Sequence, residues 1–276
     1  PNFMRRAKKM GIPLYLINAR VSDRSAPRYK AAKWFFGEIF SMFSEIFAQS
    51  ELDKSRLVAA GAPEGVVKVT GSFKIDVAKR NPAKEAELRE WIFGRDRLRS
   101  EVDGGGKILL GGSTWPGEDE VLLRIYKKLL QSALAPTAKP ILVIAPRHFE
   151  KADAIEANIK AAGFDCVRRS RASHPSDHQP STTNLRPVYL ADTTGELMGL
   201  YGIADVVFVG KSLCAHGSQN MIEPCLCGKA TFVGPYTENF RPVMSDLLEA
   251  KAIVQVKDEA ELEAEILKAF AGGETT

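Results

Sequence analysis

Four cysteines in 276 residues, at positions 166, 214, 225 and 227, leave nothing that reads as a disulfide framework. A reducing, cytosolic setting fits that scarcity. No apolar run approaches the roughly 18 to 20 residues that a membrane-spanning helix needs, and no charged-then-apolar leader opens the chain. Strong charge of either sign is missing too: 38 basic against 34 acidic residues leave a net +4, which suits an anionic small molecule or a membrane surface but gives no basis for nucleic-acid binding. Disorder is equally unsupported, because 45% of the residues are hydrophobic and only 26% charged. A zinc site built from Cys214, His216, Cys225 and Cys227 is disfavoured by spacing, since the Cys-x-Cys pair has one intervening residue where zinc motifs carry two to four. No internal repeat is visible.

What is present is an alternation. The runs "IPLYLIN", "EIFAQS", "VVKVTGS", "KILLGGS", "PILVIAPRH", "VVFVG" and "KATFVGP" are strand-like and are separated by helix-length segments. That order predicts right-handed βαβ units and parallel sheets, an α/β fold. Many of the runs end in Gly, Ser, Asn or Arg, at the strand ends where open α/β sheets place their ligands.

A composition break divides the chain. Residues 79 to 107 are highly charged and close on a Gly triplet, the look of a domain boundary. The expected division is an N-terminal remainder over 1–85, a charged and Gly-rich linker over 86–105, and a nucleotide-binding domain over 106–276. The first part holds only two or three strand-like runs, too few for a sheet with its own core. It opens on a basic helix feeding an apolar strand, so an upstream portion is expected. The stretch "RRSRASHPSDHQPSTTN", 168–184, lacks an apolar period and reads as a surface loop. In "KWFFGEIFSMFSEIF", 33–47, Phe36, Phe40, Phe43 and Phe47 recur at three and four residues, the pattern of a helix packed on its sheet, although Trp34 with Lys30 and Lys33 would also suit a membrane interface.

The segment "HGSQNMIEP", 216–224, is the densest cluster of hydrogen-bonding groups. It follows the strand "DVVFVG" and precedes a helix read as starting near Asn220, so amides and a helix end face outward where an anion would sit. Glu223, three residues after Asn220, is placed to accept the hydroxyls of a ribose. The same Asn-x-x-Glu spacing is also a capping box that needs no ligand. Two further strand ends, "GGST" (111–114) and "APRH" (145–148), add amides, Arg147 and His148, and three such loops on one sheet edge point to a nucleotide site.

"NARVSDRS" (18–25), "VTGSFKID" (69–76), "GGST", "APRH", "DTTGELMGLYGIADVVFVGKS" (192–212) and "HGSQNMIEP" occur in an order and spacing that resembles the 3-deoxy-D-manno-octulosonic acid (Kdo) transferases of lipopolysaccharide synthesis. The resemblance covers nearly the whole chain. It implies a GT-B fold of two Rossmann-like domains across a cleft, with an N-terminal acceptor domain incomplete in this chain, and an inverting transfer of Kdo from CMP-Kdo to a lipid A precursor. It implies no metal and no cofactor. Ser113, Arg147, His148, Gly217, Ser218, Asn220 and Glu223 would bind the donor nucleotide, and Asn18, Arg20, Ser22, Arg24 and Lys74 would serve the acceptor or the cleft. The general base is expected upstream of Pro1, so this stretch alone would bind nucleotide without turnover, at the cytoplasmic face of a bacterial inner membrane. Where the family usually shows Gly-Gly-Ser and Gly-Gly-His-Asn, this chain has "GKS" and "HGSQN". Two other readings share the architecture: a nucleotide-sugar epimerase, and a nucleotide-binding module without catalysis.

Overall fold

The computed structural model describes residues 2–71, 80–94, 106–134, 138–171 and 187–272. They fall into two compact units, Pro1–Val77 and Ala78–Thr276. Both are α/β with parallel strands, as the alternation of apolar runs predicts.

The first unit contains α1 (Asn2–Lys9), β1 (Tyr15–Ala19), α2 (Ala26–Ala31), α3 (Lys33–Phe40), β2 (Glu45–Ala48), α4 (Glu51–Ala59) and β3 (Val67–Val69). Its strands run parallel in the order β1-β2-β3. Three strands do support a small core: Ile46 and Ala48 are fully buried beneath Phe40, Leu57 and Val67. Helices supply the apolar surface that the short strands lack. Phe36 and Phe40 of α3 join this core, but the helix read over 33–47 ends at Phe40: Phe43 packs on the core from the connection that follows and Phe47 lies in β2, whereas Trp34 is 81% exposed.

The second unit is a seven-stranded parallel sheet. In chain order it comprises α5 (Pro82–Phe93), β4 (Ile108–Thr114), α6 (Glu118–Gln131), β5 (Ile141–Pro146), α7 (Ala152–Ala161), β6 (Cys166–Arg168), β7 (Val188–Leu190), α8 (Leu197–Ile203), β8 (Val206–Val209), α9 (Ile222–Leu226), β9 (Ala230–Val233), α10 (Arg241–Glu249), β10 (Val254–Gln255) and α11 (Glu259–Phe270). The strand order is β10-β9-β8-β4-β5-β7-β6. Its first strand, β4, therefore lies between β5 and β8, and the chain reverses direction across the sheet there, which opens a crevice at the carboxyl ends of those strands. Leu122, Ile125 and Ile159 of α6 and α7, with Leu262 and Ile266 of α11, cover one face. Leu88 and Trp91 of α5, Leu200 and Tyr201 of α8, and Met244 of α10 cover the other.

The boundary differs from the one read from composition. Residues 86–93, expected in a linker, belong to α5, whose Leu88, Trp91 and Ile92 recur at i, i+3 and i+4 and are buried on the second sheet. Glu87 and Arg89 are exposed, but Glu85 shares the buried face and pairs with Arg80, so charge interrupts the stripe in the sequence. The reading of 168–184 as a surface loop also changes at its start. Arg168 ends β6 with 12% of its side chain exposed and pairs with Asp153, with Glu156 and, at 2.7 Å, with Asp192. Residues 172–184, with their two histidines, lie outside the described residues.

This charge cluster ties β6 to the loop after β7. Burial pushes the Asp192 carboxyl up, but the Ser170 hydroxyl and amide together with Arg168 outweigh it and hold the group below the usual carboxylate range. A carboxyl depressed in the folded state contributes stability above its unfolded pKa, about 3.9, and loses that contribution as pH falls through the folded value. Arg168→Ala is accordingly expected to lower the melting temperature at pH 7 and to flatten the decline of stability below about pH 4, as read by thermal unfolding across pH. An unchanged acid limb would remove Arg168 as the cause.

No helix among the described residues is long and apolar enough to cross a membrane.

Candidate nucleotide-binding edge

The carboxyl ends of β4, β8 and β9 carry loops that are knitted to one another. Ser113 at the end of β4 and Lys211 after β8 both adopt left-handed backbone, with φ of 53° and 56°, a region that non-glycine residues enter at a cost and that clusters at ligand sites. Gly210 lies so close to β4 that a Cβ there would come within 2.2 Å of the Ser113 carbonyl oxygen.

Glu118, the first residue of α6, is the centre of this edge and is completely buried. One of its oxygens accepts the N–H of Trp115 at 2.8 Å and of Lys211 at 2.8 Å; the other accepts Ser212 and Leu213 at 3.1 Å each. The turn at Lys211 curls those amides into a concavity of the kind that binds anions, and here the chain's own carboxylate fills it. Lys211 is thereby aimed sideways, with its ammonium 4.6 Å from the centre of the Trp115 ring. The amides after "VVFVG" are thus committed to Glu118. Sequence reasoning missed this residue because an acid in a first helical turn reads as a favourable partner of the helix dipole, and its acceptor role spans more than 90 residues.

The loop 216–219 is held separately. The Gln219 N–H donates to the Gly210 carbonyl at 3.0 Å, and Ser218 is buried with its hydroxyl on the Gln219 carbonyl. Gly217, at φ 81°, donates its N–H to Glu238 at 3.1 Å. Asn220 and Glu223 are brought together as the spacing predicts: the Asn220 amide donates to Glu223 at 2.9 Å and its oxygen accepts the Ile222 N–H at 3.2 Å. The second bond is a local Asx turn that leads into α9, a helix of only five residues with Met221 at its N-cap. The expected helix start near Asn220 therefore moves to Ile222, and the short helix contributes little dipole. Glu223 is half-buried and accessible from this edge.

From β5, Arg147 is exposed and its N–H donates to the Thr114 carbonyl at 3.1 Å, placing it beside Ser113. His148 turns away from Asn220 and Glu223. Its ring bonds Glu150 at 2.9 Å and meets Trp115 edge-on at 5.3 Å, on the wall of a cavity of about 150 Å³ that Glu120 and Asn158 also line, between α6 and α7. Burial and the neighbouring Asp119 push the Glu120 carboxyl up. The second unit thus gathers Ser113, Arg147, Gly217, Ser218, Asn220 and Glu223 along one edge, with His148 on its flank.

In the first unit, Asn18, the penultimate residue of β1, has φ 55° and its side-chain oxygen accepts from Gln49 at 2.8 Å. The following loop is anchored from below by α4: the Val21 N–H donates to the buried Asp53 at 2.8 Å and Arg56 donates to the Val21 carbonyl at 2.7 Å. Arg20, Ser22 and Arg24 are left exposed, and the Ser22 hydroxyl bonds that of Ser25 at 2.9 Å. Lys74 lies outside the described residues. Among the described residues no group of three or more His, Cys, Asp or Glu side chains is arranged to hold a metal ion; Cys225 donates to the Ala252 carbonyl and His216 bonds Glu238.

Two parallel-sheet units, the second with strained strand ends along its switch-point edge, define an α/β fold of GT-B type. The fold comparison agrees. The C-terminal CMP-Kdo binding domain of WaaA from Acinetobacter baumannii superposes with a TM-score of 0.55 at 24% identity, over 70% of this chain and 91% of that one. UDP-GlcNAc 2-epimerase from Neisseria meningitidis does so with 0.57 at 15%, over 97% and 64%. Residues 1–77 match the family described as 3-Deoxy-D-manno-octulosonic-acid transferase (kdotransferase). The 3-deoxy-D-manno-octulosonic acid transferase of Haemophilus influenzae is 32% identical over 95% of this chain, so the chain is similar in sequence to the Kdo transferases along most of its length. It spans 57% of that relative and about half the length of the curated relatives it matches.

Proposed function

We propose that this chain acts in an inverting glycosyl transfer that moves Kdo from CMP-Kdo to a lipid A precursor. The second unit is read as the donor domain and the first as the acceptor domain. The observation that carries the reading is the Asn220–Glu223 pair on the switch-point edge of a chain whose sequence matches Kdo transferases from end to end. Glu223 accepts the ribose hydroxyls, Asn220 and the loop 217–218 face the phosphate, and Arg147 offers a cation to the cytidylate as it departs. Loss of the nucleotide leaves an oxocarbenium-like sugar, so charge stabilisation at the leaving phosphate is what these groups supply. Arg20 and Arg24, exposed beside Ser22 on a rigid loop, suit the phosphates of the acceptor.

A peripheral place on the cytoplasmic face of the inner membrane accompanies this reading. Trp34 and Phe3 are 81% and 79% exposed on α3 and α1, which are linked by Arg5–Glu38 at 2.7 Å and by Lys8 on the Ser41 carbonyl at 2.8 Å. Basic residues surround them, the composition of a surface that rests on anionic lipid.

Calorimetric titration of the chain with CMP, with UMP as control, tests the donor site. Selective CMP binding is expected, weakened in Glu223→Ala by about 1 to 3 kcal/mol for the lost hydrogen bonds to a charged group. A lower melting temperature with unchanged CMP affinity would make Glu223 a cap and nothing more. A preference for UMP would favour the epimerase reading that the Neisseria fold neighbour raises.

A further inference from the structure

One carboxylate on this edge is doing what a ligand does. Glu238 is the exposed first residue of the turn Glu238–Phe240, which Phe240 anchors in the core of the second unit. Yet one of its oxygens lies 2.9 Å from Nδ1 of His216, and the other accepts the N–H of Gly217 at 3.1 Å. The two donors converge on the two oxygens of one anion. The imidazole is braced by the Tyr236 ring, 4.1 Å between centres, and Tyr236 is itself fixed by its N–H on the Ser212 carbonyl at 3.0 Å. Gly217 is equally committed: at φ 81° it is in left-handed backbone, and a Cβ there would come within 2.5 Å of the Asn239 amide nitrogen. The Gly217 N–H is fixed by its backbone and the imidazole packs on Tyr236, while the Glu238 side chain is exposed to solvent. His216, with the Glu238 and Gly217 amides, holds the Glu238 carboxyl below the usual carboxylate range.

We propose that His216 and the Gly217 N–H form an anion site for the phosphoryl group of the donor, and that Glu238 occupies it as an internal substitute which the donor displaces. The inference rests on the donor-site reading above and adds two residues to it. A phosphoryl group presents two oxygens with a bite like that of a carboxylate, so it can take both contacts once the Glu238 side chain swings to solvent. Emptying the site costs only an exposed pair, so the substitute lowers affinity without blocking it. It also keeps the Gly217 amide from bonding other acceptors while no donor is present.

The experiment is calorimetric titration of the whole chain and of the variants Glu238→Gln, His216→Asn and the double variant with CMP, cytidine and inorganic phosphate. Both side chains are exposed, so melting temperatures within about 2 °C of the parent are expected and serve as the folding control. Glu238→Gln is expected to bind CMP about threefold to fivefold more tightly, with cytidine unchanged. His216→Asn is expected to weaken CMP and to abolish the gain in the double variant. If the parent binds CMP in a Glu223-dependent way while Glu238→Gln binds it no more tightly, the donor reading stands and the substitute does not. If CMP fails to bind but phosphate binds Glu238→Gln more tightly than the parent and requires His216, the anion site stands and the donor reading falls. Failure of both ligands with every chain overturns both.

Discussion

Replacing Glu118 by alanine is expected to destabilise the second unit by about 3 to 5 kcal/mol, the range found when one side of a buried charge arrangement is removed. Its carboxylate is wholly buried and accepts five backbone N–H groups, from Trp115, Lys211, Ser212 and Leu213 between 2.8 and 3.1 Å and from Cys214 at 3.5 Å. Removal leaves those donors unpaired in a space too confined for each to recover a water, and each such donor costs about 1 to 3 kcal/mol before relaxation. For a unit of this size 1 kcal/mol corresponds to roughly 2 to 4 °C, so a drop near 10 °C is expected in thermal unfolding followed by far-UV circular dichroism. Glu118→Gln is expected to fall between, because its carbonyl oxygen still accepts N–H groups while its NH₂ opposes the others. A shift below about 2 °C in the alanine variant would mean that the loop amides find other partners and that Glu118 does not fasten the edge.

That residue also marks the limit of what the amino-acid sequence discloses here. The parallel α/β architecture and the strand ends that carry the site are legible, because apolar runs closing on Gly, Ser or Arg have a local signature, and so is the pairing of Asn220 with Glu223 three residues apart. The strands β6, β7 and β10 are not, being two or three residues long and flanked by polar chain; their burial comes from neighbours far away in sequence. The same holds for the two internal anions. Glu118 meets the 211–213 amides and Glu238 meets Gly217 only through the order in which β4, β8 and β9 are laid side by side. A motif reading assigns the amides of "GKS" and "HGSQN" to a bound phosphate. The fold assigns the first set to a buried carboxylate and the second to an exposed one, and the difference in burial between Glu118 and Glu238 separates structure from readiness for a ligand. α5 is an error of another kind: its stripe at Leu88, Trp91 and Ile92 was available, but the surrounding charge was given more weight than the period.

Gly210→Ala is expected to be among the most damaging single-methyl changes on this edge. Its φ is ordinary, so the cost is purely steric: the new Cβ would stand 2.2 Å from the Ser113 carbonyl oxygen and 2.6 Å from the Thr114 Cα, backbone atoms that no rotamer change can move. Relief requires β4 and β8 to part at the point where the Gly210 N–H donates to the Gly112 carbonyl at 2.8 Å, and the Gly210 carbonyl, which holds the Gln219 N–H at 3.0 Å, moves with it. The strain therefore passes from the sheet into both loops proposed to meet the nucleotide. A loss of about 3 kcal/mol in denaturant unfolding is expected, together with a CMP affinity reduced at least tenfold at temperatures where the variant remains folded. Gly65→Ala supplies the control, because a Cβ there meets nothing within 4 Å and its backbone is not left-handed, and it is expected to stay within about 0.5 kcal/mol of the parent. If Gly210→Ala loses stability but keeps CMP affinity, the nucleotide does not depend on the register of Ser113 against Gln219, and the donor contacts must be sought nearer Arg147 and His148; if neither changes, the two strands yield more readily than a packed parallel sheet should.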